Sequence, residues 1–171
     1  MTDCVRSNPA RCGFTLIDLM MTITIIIVAG ALVLPKLSDD KQLRLMAAAG
    51  ILTSDIELAQ VMTISHPADA VVVRFDPDND QYWLAYVDVP DTPIPRSDNG
   101  RPYLIVFGQD RAHSAVGVSL SLTEVADDTL VFDAQGGVAD ISAQPVIRLS
   151  LGARFIDLQI ASTTGTITQA Q

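Results

Sequence analysis

The chain has 171 residues, 49% of them hydrophobic, and 20 acidic side chains against 11 basic ones give it a net charge of −9. That is length enough for one ordinary domain plus an anchor. The charge excludes phosphate-driven nucleic-acid binding, which needs a basic stripe, and an anionic membrane surface would repel it.

The first 35 positions hold much of the apolar excess. Arg6 and Arg11 precede an apolar run from Phe14 to Leu34. As a helix this run is about 31 Å long at ~1.5 Å per residue, the thickness of a hydrocarbon core. The flanking arginines keep residues 1–13 in the cytoplasm and place the rest outside. Cys4 and Cys12 both lie before the run, so a lipid-bearing cysteine, which should follow it, is excluded. Removal of the leader would leave no cysteine.

Three readings compete for this segment. A secretory signal peptide has a shorter apolar core, and its cleavage motif, here Ala29-Gly30-Ala31, lies inside the run. A plain signal anchor explains length and orientation but leaves Asp18 as an insertion cost of about 2–3 kcal/mol. The third reading rests on a motif. Gly13-Phe14-Thr15-Leu16-Ile17-Asp18-Leu19-Met20 resembles the type IV prepilin signature shared by pilins and type II secretion pseudopilins, in which the acid is Glu.

The resemblance implies a leader peptide over 1–13, cut between Gly13 and Phe14 by prepilin peptidase, and N-methylation of Phe14. It makes 14–34 a transmembrane helix. Counted from Phe14, Asp18 is the fifth mature residue, where the family carries its acid, and Pro35 is the twenty-second, where many pilins carry proline. In the family the acid of one subunit neutralises the new amine of a neighbour, and a paired carboxylate in lipid costs far less than a lone one. The resemblance therefore implies that Asp18 directs subunit assembly. Asp18 is one methylene shorter than Glu, which implies a looser pair or a shifted register. The alternatives are an Asp seated at the interface, or one that caps the mature helix start.

Pro35 takes an N–H from the helix and leaves the Ala31 carbonyl without its partner, so a kink or local melt is expected there. Helical spacing resumes beyond it over 35–66, with Leu45, Ala49, Leu52, Ile56 and Ala59 on one face, ready to pack on a sheet. Ser65-His66-Pro67 stops that helix. An antiparallel β domain is expected over 70–171. Glu57 and Glu124 are the only glutamates; the rest of the acid is Asp, which suits turns. Val71, Val73 and Phe75, then Tyr82, Leu84 and Tyr86, alternate around Asp76-Pro77-Asp78-Asn79-Asp80 and predict a hairpin. Val89 to Pro102 holds four prolines and predicts an exposed loop, a candidate partner-facing surface. Strands are predicted over 103–107, 116–122, 129–132, 146–151 and 155–160, with a short final one after Thr164-Gly165.

The C-terminal order, Leu130 to Gly137, then Leu149-Ser150-Leu151-Gly152, then Thr163-Thr164-Gly165-Thr166-Ile167, is similar to that of H-type minor pseudopilins of type II secretion and their fimbrial T minor pilin relatives. Some of those relatives bind DNA through a basic C-terminal region. Here nothing after Arg154 is Lys or Arg, so no nucleic-acid partner is expected.

Other constellations carry less. Asp76, Asp78 and Asp80 begin like a calcium loop, but Gln81 and Val87 stand where an EF-hand needs Gly and Glu; a solvated turn is the better reading, and they remain weak metal candidates. His66 and His113 have no metal-ligand spacing. No nucleophile elbow or phosphate loop is present, and Asp127-Asp128 reads as a turn. Tyr82, Trp83 and Tyr86 sit on one strand, part core and part candidate contact surface. The expected molecule is α+β and pilin-like, a long N-terminal transmembrane helix packed on an antiparallel β-sheet domain. It is a non-enzymatic minor pseudopilin without cofactor, anchored in the inner membrane with a periplasmic domain. Its expected partners are prepilin peptidase and other pseudopilins or pilins. A type IV pilus minor pilin and a signal-anchored extracytoplasmic binding domain are the alternatives.

Overall fold

A computed structural model of the chain describes residues 15–33, 40–140 and 144–170. The molecule is α+β and divides into two compact units, one ending at Asp39 and the other running from Asp40 to Gln171.

The first unit contains helix α1, Leu16–Val33. Its sequence is rich in β-branched Ile, Val and Thr, which are indifferent helix formers in water. A medium that offers the backbone no hydrogen bonds favours a helix regardless. Every side chain from Thr15 to Gly30 is exposed. The helix is about 27 Å long at ~1.5 Å per residue. Gly13, Phe14 and Pro35, with the expected kink at Pro35, lie outside the described residues.

The second unit opens with helix α2, Asp40–Ser65. By length and composition α2 is the described helix long and apolar enough to cross a membrane, yet one face is covered by the unit's own strands. Leu45, Ala48, Ala49, Leu52, Ile56 and Ala59 are fully buried. The expected apolar stripe is therefore a core face, widened by Ala48. The helix stops at Ser65, with the His66 N–H still reaching the Met62 carbonyl at 2.9 Å before Pro67 intervenes.

Eight antiparallel strands follow: β1 Val71–Asp76, β2 Gln81–Tyr86, β3 Leu104–Val106, β4 Ser119–Thr123, β5 Thr129–Val131, β6 Val146–Leu151, β7 Arg154–Ile160 and β8 Ile167–Ala170. They form two four-stranded sheets, in the orders β3-β2-β1-β5 and β4-β6-β7-β8. The β1–β2 hairpin pairs Val73 with Leu84 and Phe75 with Tyr82. The β6–β7 hairpin closes on Gly152-Ala153, with Leu151 opposite Arg154. Helix α2 touches β1 of one sheet and β6 and β7 of the other. The two sheets and the helix share one apolar cluster, from Leu45 and Val73 through Phe107 to Ile147, Ile156 and Leu158.

The segment from Val89 to Pro102 is the mostly exposed loop expected, with one inward anchor. Ile94 is buried at 5% exposure. Its N–H donates to the Leu84 carbonyl at 2.8 Å, and its own carbonyl accepts from the Tyr103 N–H at 2.8 Å. The prolines spare the segment unmet N–H donors, while Ile94 anchors it beside β2. The three neighbouring aromatics divide by environment. Tyr82 is fully buried, Tyr86 is 40% exposed, and half-buried Trp83 donates its indole N–H to the Pro90 carbonyl at 2.8 Å.

Candidate functional site

Asp18 stands in the first turn of α1. Its backbone N–H donates to the Thr15 carbonyl at 3.0 Å and to Thr15 Oγ1 at 3.4 Å. Two other polar side chains on this helix satisfy themselves locally: Thr22 Oγ1 donates to the Leu19 carbonyl at 2.9 Å, and Thr24 Oγ1 to the Met20 carbonyl at 2.7 Å. Among the described residues the Asp18 carboxylate has no hydrogen bond or ion pair. It is a full negative charge on a helix otherwise dressed in Leu, Ile, Met and Val.

A second aspartate, on α2, is in the opposite state and was not singled out by the sequence. Asp55 is fully buried. Tyr82 Oη donates to its Oδ2 at 2.7 Å, Tyr103 Oη to its Oδ1 at 2.8 Å, and Arg111 Nη1 to Oδ1 at 2.6 Å. Arg111 Nη1 also donates to Tyr103 Oη at 2.9 Å, so that hydroxyl accepts from the arginine and donates to the acid. Burial, and then the Asp55 charge, push the Tyr82 and Tyr103 hydroxyls above the usual tyrosine range. Burial alone would lower the Arg111 guanidinium; the Asp55 carboxylate overrides it and raises it. Two hydroxyls and one guanidinium nitrogen are thus committed to a buried carboxylate. The arrangement pins α2 to β2, to the residue before β3 and to the 3-10 turn Asp110–Ala115.

The two C-terminal glycine motifs meet on α2. Gln60 Nε2 donates to the Gly136 carbonyl at 2.5 Å and to the Thr164 carbonyl at 3.1 Å. The Asp133 carboxylate accepts from the N–H groups of Gln135 and Gly137 at 2.9 and 2.8 Å and so holds the Gly-Gly turn. A side chain on Gly165 would overlap the Gly136 carbonyl and Gln60, and one on Gly137 would press on Thr163 O at 2.9 Å. Gly165 also has φ +65, a conformation open to glycine.

Of the weak metal candidates Asp76, Asp78 and Asp80, the first and last have structural partners. Asp76 accepts from Asn79 N at 3.3 Å, Asn79 Nδ2 at 2.7 Å and Gln81 Nε2 at 2.8 Å, and the side-chain bonds from Asn79 and Gln81 lower its pKa. Asp80 takes φ +49 at the end of the 3-10 turn Pro77–Asn79 and reaches β4, where its Oδ1 accepts from Leu120 N at 2.9 Å. The turn thus ties one sheet to the other. Among the described residues no three His, Cys, Asp or Glu side chains gather as a metal set. His66 is exposed, and His113 Nδ1 lies 3.1 Å from the Asp110 carbonyl. Asp127 contributes its backbone carbonyl to Arg74 and Thr129.

Asp18 and Asp55 belong to different units, and Gly13, Phe14 and Pro35 lie outside the described residues. Comparison with known proteins finds no family model, no curated protein and no solved structure that matches this chain.

Proposed function

We propose that this chain is a non-enzymatic minor pseudopilin of a type II secretion filament, anchored in the inner membrane with its 40–171 unit in the periplasm. Prepilin peptidase removes residues 1–13, Phe14 is N-methylated, and the subunit assembles with other pseudopilins through its N-terminal helix. The observation that supports this reading is Asp18: a carboxylate with no partner among the described residues, on an exposed helix, at the fifth place of the mature chain that the Gly13-Phe14 motif implies. Such a charge is stable in lipid only when paired, and the amine freed at Phe14 of a neighbouring subunit is a suitable partner. Leu43, Met46, Val61 and Ile64 on α2 are also exposed, between 45 and 63%, and give the second helix an apolar outer stripe for sister subunits.

The test is mass spectrometry of the mature N-terminus together with crosslinking. Methyl-Phe14 is expected, and Asp18→Asn should insert and be cleaved normally yet fail to enter the filament. An intact Met1, or a cut beyond Ala31, would replace this reading with a signal-anchored extracytoplasmic binding domain. The same processing within a pilus rather than a secretion filament would make the chain a type IV minor pilin, and neighbouring genes separate those two.

A further inference from the structure

Arg101 is the odd arginine of the described chain. Arg44, Arg96, Arg111 and Arg148 each hold an acid, Arg74 holds Thr129 and Arg154 reaches Gln42. The Arg101 guanidinium has no hydrogen bond or ion pair among the described residues, although Arg101 N donates to Asn99 Oδ1 at 3.0 Å. It lines a pocket of about 300 Å³ that also takes in Arg96, Arg111, Asn99 and all of β3. Three arginines in one small pocket are unexpected in a chain of net charge −9.

The three are not equivalent. Arg96 is held by Asp98, both contacts at 3.2 Å, and lies over the Tyr103 ring at 5.3 Å. Arg111 spends Nη1 on Asp55 and Tyr103, while its Nε and Nη2 carry no hydrogen bond among the described residues. Asp110 lines the pocket too, but it forms no ion pair with any of the three. The unspent positive charge in this pocket is therefore the Arg101 guanidinium together with the Nε and Nη2 groups of Arg111, donors suited to a planar, two-oxygen anion.

The pocket wall is a sheet edge. β3 is the outermost strand of its sheet, paired only with β2. The Phe107 N–H points to the β2 side, where it meets the Asp80 carbonyl at 3.1 Å. Alternation along the strand then turns the N–H groups of Leu104 and Val106 outward. Leu104 is 41% exposed. An open edge takes an added strand by main-chain hydrogen bonds, and adjacent pockets select its side chains.

We infer that β3 and the arginine pocket form a docking site for an extended segment of a partner protein, which adds to the open edge of β3 and places a Glu or Asp carboxylate between Arg101 and Arg111. The site does not depend on the pseudopilin reading and stands if that reading fails. It has a bound on affinity: the protein's overall negative charge opposes an acidic segment at long range, so binding is local and short-ranged.

The test uses the full chain in detergent micelles and two doubly capped peptides, acetyl-Val-Thr-Glu-Val-Thr-amide and its Gln counterpart, titrated by amide NMR. The Glu peptide should give saturable shifts at Leu104 and Val106 and bind at least tenfold more tightly than the Gln peptide. Arg101→Gln, a change at an exposed side chain, should remove that tenfold preference with the melting curve unchanged. Equal binding of the two peptides, an unaltered preference in Arg101→Gln, or no binding at several millimolar would each overturn the inference. Inorganic phosphate displacing the Glu peptide at an equal concentration would also overturn it, in favour of a free-anion site.

Discussion

Helices α1 and α2 each set an aspartate on an apolar face, and the two carboxylates show the two ways such a charge is tolerated. Asp55 is fully buried and has three donors supplied by its own chain. Asp18 lies on a helix whose side chains from Thr15 to Gly30 are all exposed, and it has none among the described residues. The buried charge on α2 is satisfied within its own unit. The surface of α1, apolar but for two threonines and a carboxylate with no partner among the described residues, suits the lipid and subunit contacts proposed for it.

The comparison breaks most sharply at Asp55. Asp55→Ala leaves two tyrosine hydroxyls and a guanidinium without their acceptor and should cost about 3–5 kcal/mol, the range for one partner lost from a buried ion pair. Urea unfolding followed by circular dichroism reads this directly, and a loss under about 1 kcal/mol would mean that Asp55 is not the pin described. Next comes the covered face of α2: Leu52→Ala should cost about 2.5–3 kcal/mol through the cavity left behind, whereas Val61→Ser, on the exposed face at 57% exposure, should stay within about 0.5 kcal/mol. A smaller effect appears at alkaline pH. Tyr82 and Tyr103 are raised by burial, so above the ordinary tyrosine value of about 10 the unfolded chain loses protons that the folded one keeps. Stability is full below that pH and falls as pH climbs toward the folded values. Absorbance at 295 nm should show two late-titrating tyrosines, and Tyr82→Phe should leave one. The smallest effect is at Asp18→Asn, which should not move the unfolding of the 40–171 unit measurably.

The parts legible in the sequence were those with local periodicity. The stripe Leu45-Ala49-Leu52-Ile56-Ala59, the β1–β2 hairpin and the β6–β7 hairpin all follow from residues a few positions apart. Asp55 was illegible because an acid on a helix reads as a solvated face, and its partners lie 27, 48 and 56 positions away. The division into two sheets was hidden for the same reason: β1 pairs with β5, Val73 against Leu130, and no local pattern announces that. In the Pro-rich segment the exposed loop was legible, while its one inward residue, Ile94, a lone large aliphatic between prolines, was not. The Gly136-Gly137 and Thr164-Gly165 motifs were legible as turns, while their meeting on Gln60 was not.

The order in which the chain is made gives α2 a history of its own. It is complete at Ser65, before any strand exists to cover it, and at that moment it has the length and composition of a membrane span. The acceptor that distinguishes it, Asp55, waits for residues 82, 103 and 111, and the far wall of its core waits for β6 and β7. If the 40–171 unit crosses the inner membrane as proposed, this segment meets the bilayer before its own domain is complete. What covers it is sequence that has yet to emerge, so on that route the β1 strand packing against α2 competes with the bilayer for the same apolar face.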